Sequence, residues 1–383
     1  MEVIDLFAGC GGLSKGFEMA GFEVAGFVEY WEPAIETHLK NFPNCSFIGK
    51  DITTISNEEI LEFISVNGKI SGIVGGPPCQ GFSTIGKRDN KDPRNSLFKE
   101  FLRFVKIIEP EFFLMENVKG LLSAKMSNGK KVIDVIISEF TSLGYQTNFF
   151  LLNSAEYGVP QIRERVFIFG SKSGVINKPK ITNTKQSYVS IFDALSNLPS
   201  IDASNTGNIL QVIKLPINST FQKYLHKNNN SKLYNHIIKP PNNKDIARSK
   251  FVPEGRYIRS TKGGLKNGIF PDETLHLSSG EMSQQKYCRL DRNLPSWTVL
   301  TDWHTMRQKT HYNQNRPFSA REVARLQSFP DDFILYGKNI TDYYRMIGNA
   351  VPPLLANVLA KEIKMFYSNK EYHLAVGVQQ VLL

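Results

Sequence analysis

A chain of 383 residues, 41% hydrophobic and 21% charged, can bury enough apolar surface for about two domains. It lacks both the compositional bias of a low-complexity protein and any apolar run approaching the roughly 18 residues of a membrane helix. Lys plus Arg exceed Asp plus Glu by 46 to 36, and the net charge of +10 favours a polyanionic partner, nucleic acid first.

The chain opens on MEVIDLFAGCGG, with no basic leader and no small-residue cleavage site, so a cytoplasmic protein is expected, or a nuclear one in a compartmented cell. Strand-like apolar runs at 3–7, 22–29, 46–48, 70–74, 112–116, 146–152 and 166–170 alternate with helix-like stretches at 13–20, 33–42, 58–66, 97–108 and 132–143. This alternation predicts an α/β fold, a mostly parallel sheet covered by helices on both faces. From about residue 175 the rhythm stops. The stretch 228–250 is rich in Asn, Lys and Pro and reads as loops or a separate irregular module. Helical pattern returns at 319–329 (SAREVARLQSF) and at 352–366, where proline starts the second helix. No internal repeat is visible.

Two short stretches carry chemistry. FAGCGG at 7–12 lies between the first strand and first helix, where a glycine turn lets backbone approach a ligand at a helix N-terminus. Glu29, ending the second strand, is placed to accept from a ribose diol, and Asp51 follows the third strand similarly. This arrangement suits either a nucleoside ligand or a simple tight turn, and for a ligand the glycines alone leave NAD, FAD and S-adenosylmethionine open. GGPPCQGFS at 75–83 sets Cys79 behind two prolines, which fix two φ angles and remove two N–H donors. A thiol held that way is expected to be presented, with a small buried hydrophobe as the alternative reading. The four cysteines (Cys10, Cys45, Cys79, Cys288) show neither CxxC nor Cys/His ligand spacing, so neither a disulfide framework nor a metal site is expected.

Later strands end in Glu116 (MENV) and in Arg163 and Arg165 (QIRERVFIFG), and MIGNAVPP follows near the C-terminus. The doubly wound rule brings such carboxyl-end groups to one crevice. FAGCGG, GGPPCQGFS, ENV, QxRxR, REVARLQSFPDDF and GNAVPP together resemble the DNA cytosine-5 methyltransferase family, of the prokaryotic restriction-modification type, in the family's order. The resemblance covers roughly residues 1–170 and 295–367.

The resemblance implies a Rossmann-like methyltransferase fold using S-adenosylmethionine and acting on duplex DNA. Residues 1–185 plus 343–383 would form the catalytic and cofactor domain, and 186–342 the target-recognition domain, variable over about 187–290. Carbon 5 of cytosine is too weak a nucleophile to take a methyl from a sulfonium until a nucleophile adds at C6. Cys79 would be that nucleophile, Glu116 the proton source at N3 and Arg165 the partner of the base's O2. Arg163, two positions before Arg165 and expected on the same strand face, would orient or contact phosphate, with a structural salt bridge as the alternative for one of the two. Phe7, Gly9, Gly11, Leu13, Glu29, Asp51, Pro77, Leu97, Asn349 and Val351 would form the cofactor pocket. Gln80, Ser83, Lys87 and Arg88, in a basic loop after the nucleophile, would meet DNA while the target base is flipped out. Arg256, Tyr257 and Arg259 are candidate base readers. A monomer in a prokaryotic or virus-infected cell, partnered with a restriction endonuclease, completes the expectation. An RNA cytosine-5 methyltransferase of the same architecture is the nearest rival, and a dehydrogenase leaves PPCQ and QxRxR unexplained.

Overall fold

The structure is a computed structural model and describes residues 1–78, 97–126, 128–201, 211–212, 216–226, 232–261, 264–265, 268–271 and 284–381. The chain forms two compact units, one of Met1–Asn153, Glu164–Ile181 and Pro353–Leu383, the other of Ser154–Arg163 and Thr182–Pro352.

In the first unit the sequence alternation becomes β1 (Glu2–Leu6), α1 (Gly12–Met19), β2 (Glu23–Val28), α2 (Glu32–Asn41), β3 (Ser46–Gly49) and α3 (Asn57–Asn67). It continues as β4 (Gly72–Gly75), α4 (Leu97–Ile108), β5 (Phe112–Val118), α5 (Val132–Ser142), β6 (Gln146–Asn153) and β7 (Glu164–Ser171). The strands form one seven-stranded sheet in the order β3-β2-β1-β4-β5-β7-β6. All neighbours are parallel except β7, which runs antiparallel to both β5 and β6. Between β1 and β4 the strand order reverses, and such a switch point is where open α/β sheets hold ligands.

Period-two alternation sorts the strand residues onto two faces. Ile4 and Leu6 of β1, Ile73 of β4, Phe113 and Met115 of β5 and Val166 and Ile168 of β7 share one core with Phe101 and Phe104 of α4 and Ile136 and Phe140 of α5. Each fully buried phenylalanine contributes about 1.5–3 kcal/mol of transfer free energy. The intervening positions serve the other face, where Phe112 lies 6.0 Å from Phe22 and 5.8 Å from Tyr367. Tyr367 belongs to the C-terminal helix (Pro353–Val381), which packs along α1. A Cβ on Gly16 would sit 2.3 Å from Ala356 Cβ, so only glycine permits this approach, and Asn357 Nδ2 donates to Gly16 O at 3.2 Å.

The second unit is built from short elements, as the lost rhythm after residue 175 predicts. A small sheet contains strands Arg256–Thr261, Gly264–Leu265, Phe270–Pro271, Gln285–Arg289 and Lys309–Thr310. The helix Ala320–Leu326 starts on a capping box, with Ser319 Oγ accepting from Glu322 N (3.0 Å) and Glu322 Oε2 accepting from Ser319 N (2.7 Å). Its charges are interior. Arg316 donates to both Glu322 oxygens at 2.8 and 2.6 Å, and Arg325 to both Asp331 oxygens at 2.9 and 2.7 Å. The bidentate pairing gives Arg316 and Arg325 each a carboxylate partner, which is what makes these two arginines tolerable inside the unit.

Candidate active site

The loop after β1 is shaped by three left-handed residues in five, Phe7 (φ 62°), Gly9 (φ 57°) and Gly11 (φ 96°). For Phe7 this conformation costs roughly 1–3 kcal/mol, and the fold around it must supply that. A Cβ on Gly11 would meet the Phe42 ring at 2.5 Å, so the loop rests on α2 there, while a Cβ on Gly9 would meet no atom within 4 Å. Gly9 N donates to Glu29 Oε2 and Trp31 N to Glu29 Oε1, each at 2.8 Å. Gly9 N and Trp31 N thus fix the Glu29 carboxylate beside the glycine loop, the kind of group that can accept from the hydroxyls of a ribose diol.

Other residues expected around this loop lie just past strand ends or at helix starts. Leu13 is buried in the first turn of α1. Asp51 Oδ1 accepts from Thr53 N (3.0 Å) and Thr53 Oγ1 (2.7 Å), which fixes the turn beyond β3. Pro77 is buried just past β4, and the half-buried Leu97 begins α4.

At the end of β5, Glu116 meets Arg165 of β7, with Oε1 3.0 Å from Nε and both side chains largely buried. Burial lowers Arg165 from the usual arginine value, and the Glu116 charge beside it works against that fall. The Glu116 carboxylate also lies against Gly76, where an added Cβ would be 3.1 Å from Oε2. Asn117, a residue sequence reasoning passed over, donates from Nδ2 to Pro77 O at 3.1 Å. The ENV stretch therefore holds the backbone that leads into the proline pair. Cys79, Gln80, Ser83, Lys87 and Arg88 lie outside the described residues.

Arg163 does not share a strand face with Arg165, because β7 begins at Glu164. Its buried guanidinium donates to Val299 O (3.2 Å) and Gly348 O (3.0 Å), an interior position that leaves no surface for phosphate. Beside it, Gln161 Oε1 accepts from Val299 N (2.9 Å), and Gln161 Nε2 donates to Leu326 O (3.3 Å) and to Gln327 Oε1. The QIR stretch is thus a knot in the second unit. In that unit Asn349 is exposed at the end of the helix Ile340–Asn349, and Val351 is buried. Tyr257 is 4% exposed, its ring stacked 5.8 Å from Phe270, so it is a packing residue and cannot read bases. Arg259 lies over the Phe270 ring (5.0 Å) and donates to the Tyr257 hydroxyl (3.3 Å), whereas Arg256 is exposed.

Sequence reasoning also missed a buried polar cluster beneath the glycine loop. Asp5 Oδ2 accepts from Ser14 Oγ at 2.6 Å and from Ser14 N at 3.2 Å, and His38 Nε2 lies 3.0 Å from Ser14 Oγ. His38 stacks on Phe27 with ring centroids 3.8 Å apart. The one available signal was an acidic residue inside the apolar run VIDLF. Among the described residues no group of three His, Cys, Asp or Glu is placed to hold a metal ion, and no helix is long and apolar enough to cross a membrane.

Comparison with known proteins decides what this arrangement serves. The family model for C-5 cytosine-specific DNA methylase matches residues 1–365. The chain belongs to that family. Among curated relatives of these methylases, Type II methyltransferase M.DdeI of Desulfomicrobium norvegicum is 40% identical over 96% of this chain and 90% of its own length. Type II methyltransferase M1.HphI of Haemophilus parahaemolyticus is 37% identical over 97% and 88%. A solved structure titled as a candidate DNA modification methyltransferase encoded within a prophage (E. coli) superposes with TM-score 0.76 at 28% identity, covering 96% of this chain and 99% of that one. A second, the Spodoptera frugiperda DNMT2 mutant, reaches TM-score 0.60 at 16% identity, covering 94% and 98%, and shows the fold alone. The protein is a DNA cytosine-5 methyltransferase, and its fold is the mixed α/β methyltransferase architecture with a mostly parallel sheet.

Proposed function

We propose that this methyltransferase modifies a flipped-out cytosine within a specific duplex DNA sequence, using S-adenosylmethionine and a covalent adduct on Cys79. The observation that carries the reading is the Glu116–Arg165 pair set against the Gly76–Pro77 turn, two residues before the thiol. The Cys79 thiolate adds to C6, forming an S–C6 bond, while N3 takes a proton from Glu116 and the displaced electron pair makes C5 enamine-like. Arg165 donates to the base's O2 and keeps Glu116 oriented. After C5 is methylated, its proton passes to water, the C5–H electrons restore the C5–C6 double bond as the S–C6 pair returns to sulfur, and N3 gives its proton back to Glu116. Arg163 holds the QIR stretch within the second unit through Val299 O and Gly348 O.

The cofactor supplies the methyl as an activated sulfonium. The donor set fits it. Glu29 would take the ribose hydroxyls, the Phe7–Leu13 loop the methionine moiety, and Asp51, Pro77 and Leu97 the base. The first unit carries this chemistry, and the strand Arg256–Thr261 with its neighbours carries sequence reading. The names of the Type II relatives support a role in protecting DNA from a partner endonuclease.

Duplex DNA with 5-fluorocytosine at the target tests the scheme, because fluorine cannot leave as a proton does. A denaturant-stable protein–DNA complex should form only when S-adenosylmethionine is present. Methyl transfer to ordinary duplex without any such trapped complex would contradict the adduct. Comparing transfer to duplex DNA and to tRNA separates this reading from an RNA enzyme.

A further inference from the structure

Asp5 stands on β1 between Ile4 and Leu6, fully buried, and faces the side of the sheet covered by α1. Only one of its oxygens is used. Oδ2 accepts both Ser14 hydrogen bonds, while Oδ1 is buried and has no partner. Ser14 Oγ has a single proton, so giving it to Asp5 requires that it accept from His38 Nε2, and His38 Nδ1 is accordingly left bare. Both donors run toward Asp5, an arrangement that favours its carboxylate, in a place where an apolar residue would serve packing better.

The cluster sits under the glycine loop. Ser14 lies in the first turn of α1, and a Cβ on Gly11 would approach the His38 ring at 3.0 Å. The other titratable groups acting on Asp5 are Glu29 beyond β2, Cys10 in the loop, Cys45 after α2 and His38 of α2. Burial pushes the Cys45 thiol up to about 12 and the Cys10 thiol higher still, and pulls His38 down to about 3. These three are uncharged near neutrality, which leaves Asp5 and Glu29 as the acids of the site.

Resting on the reading that residues 7–13 hold the methionine moiety, we propose that Asp5 is a specificity-determining residue of the cofactor site, whose buried carboxylate favours the cationic sulfonium of S-adenosylmethionine over the neutral thioether of S-adenosylhomocysteine. The two compounds differ at sulfur by one methyl and one positive charge. A fixed anion in a poorly screened interior acts on that difference and also helps the product leave. Coupling is reciprocal, so the factor by which ionised Asp5 tightens sulfonium binding is the factor by which the sulfonium promotes Asp5 ionisation. Burial raises the Asp5 carboxyl to about 7, against the lowering effect of the Ser14 hydrogen bonds. Discrimination therefore switches on as pH rises through that region.

Calorimetric binding of each compound to the full chain without DNA, from about pH 6 to about pH 8, tests this. The ratio of the S-adenosylhomocysteine Kd to the S-adenosylmethionine Kd should rise about fivefold over the range, the part of a tenfold, one-pKa-unit coupling that falls between these pH values. In Asp5→Asn it should stay at its low-pH value throughout. Ser14→Ala, which removes the Ser14 hydroxyl bond to the carboxylate, should move the midpoint to higher pH, a shift the cofactor's own amine cannot mimic. A wild-type ratio profile in Asp5→Asn overturns the proposal. If that variant does not fold, an unmoved midpoint in Ser14→Ala overturns it. Failure of the wild-type chain to bind either compound is a different result, which removes the cofactor reading and this proposal with it.

Discussion

Glu116 and Arg165 are diagonal neighbours across antiparallel strands, Glu116 opposite Phe167 and Arg165 opposite Val118, and their side chains meet at 3.0 Å. The pair has a catalytic consequence that separates charge from shape. Glu116→Gln keeps a carbonyl to accept from Arg165 but cannot deliver a proton to N3, so kcat should fall by roughly 10²–10⁴-fold with little change in cofactor binding. Glu116→Ala leaves a largely buried guanidinium alone and should in addition destabilise the protein by about 3–5 kcal/mol. Single-turnover methyl transfer and urea denaturation of both variants check this.

Asn117 gives a second test, because its bond to Pro77 O acts on the backbone before Cys79. Asn117→Ala should cost about 1–3 kcal/mol of stability from the unsatisfied carbonyl. It should also lower kcat while S-adenosylmethionine affinity stays near wild type. An equal loss in affinity and kcat would place Asn117 in the cofactor site instead.

Much of the site was legible because glycine, proline and charge each leave a mark at strand ends. FAGCGG announced the left-handed turn that Phe7, Gly9 and Gly11 make, and MENV placed Glu116 at the end of β5. The i, i+2 spacing of Arg163 and Arg165 misled because a two-residue period holds only within a strand, and the strand starts between them. Tyr257 looked like a reader for a similar reason: residue type does not reveal which face of a strand packs on Phe270. Asp5 left only one mark, an acid inside an apolar run, because the other members of its cluster, Ser14 and His38, come from two different helices.

Buried titratable groups give opposing pH limbs. His236 is pulled down to about 4 by burial, below its unfolded value near 6.5, so the folded state loses stability as pH falls through that interval. Asp5, raised to about 7 from an unfolded value near 3.9, holds a proton that the unfolded chain has released, and its effect is a loss of stability as pH rises from about 4 to about 7. Thermal denaturation across that range should show Asp5→Asn gaining on wild type with rising pH, by on the order of 2–4 kcal/mol at neutrality. His236→Gln should lose less than wild type on acidification. Parallel curves for the variants and wild type would contradict both assignments.

Arg256 and Arg259 sit on one strand but in different settings, one exposed and one laid on Phe270. Arg256→Ala should relax recognition at one base position by about 1–3 kcal/mol if it reads a base, or weaken all sequences alike and reduce the salt slope if it binds phosphate. Arg259→Ala should also loosen the Tyr257–Phe270 stack and lower stability. Competition binding over a panel of single-base variants at two salt concentrations distinguishes the cases.

The most direct measurement is bisulfite mapping of DNA from a host expressing the chain, beside the same host expressing Cys79→Ser. The wild type should leave one cytosine unconverted within one recurring sequence, and the Cys79→Ser host should show complete conversion there, since an alcohol is far less ionised than a thiol and adds poorly to C6. Full conversion in the wild-type host would contradict cytosine-5 methylation of duplex DNA by this protein, and equal protection in both hosts would remove Cys79 from the reaction.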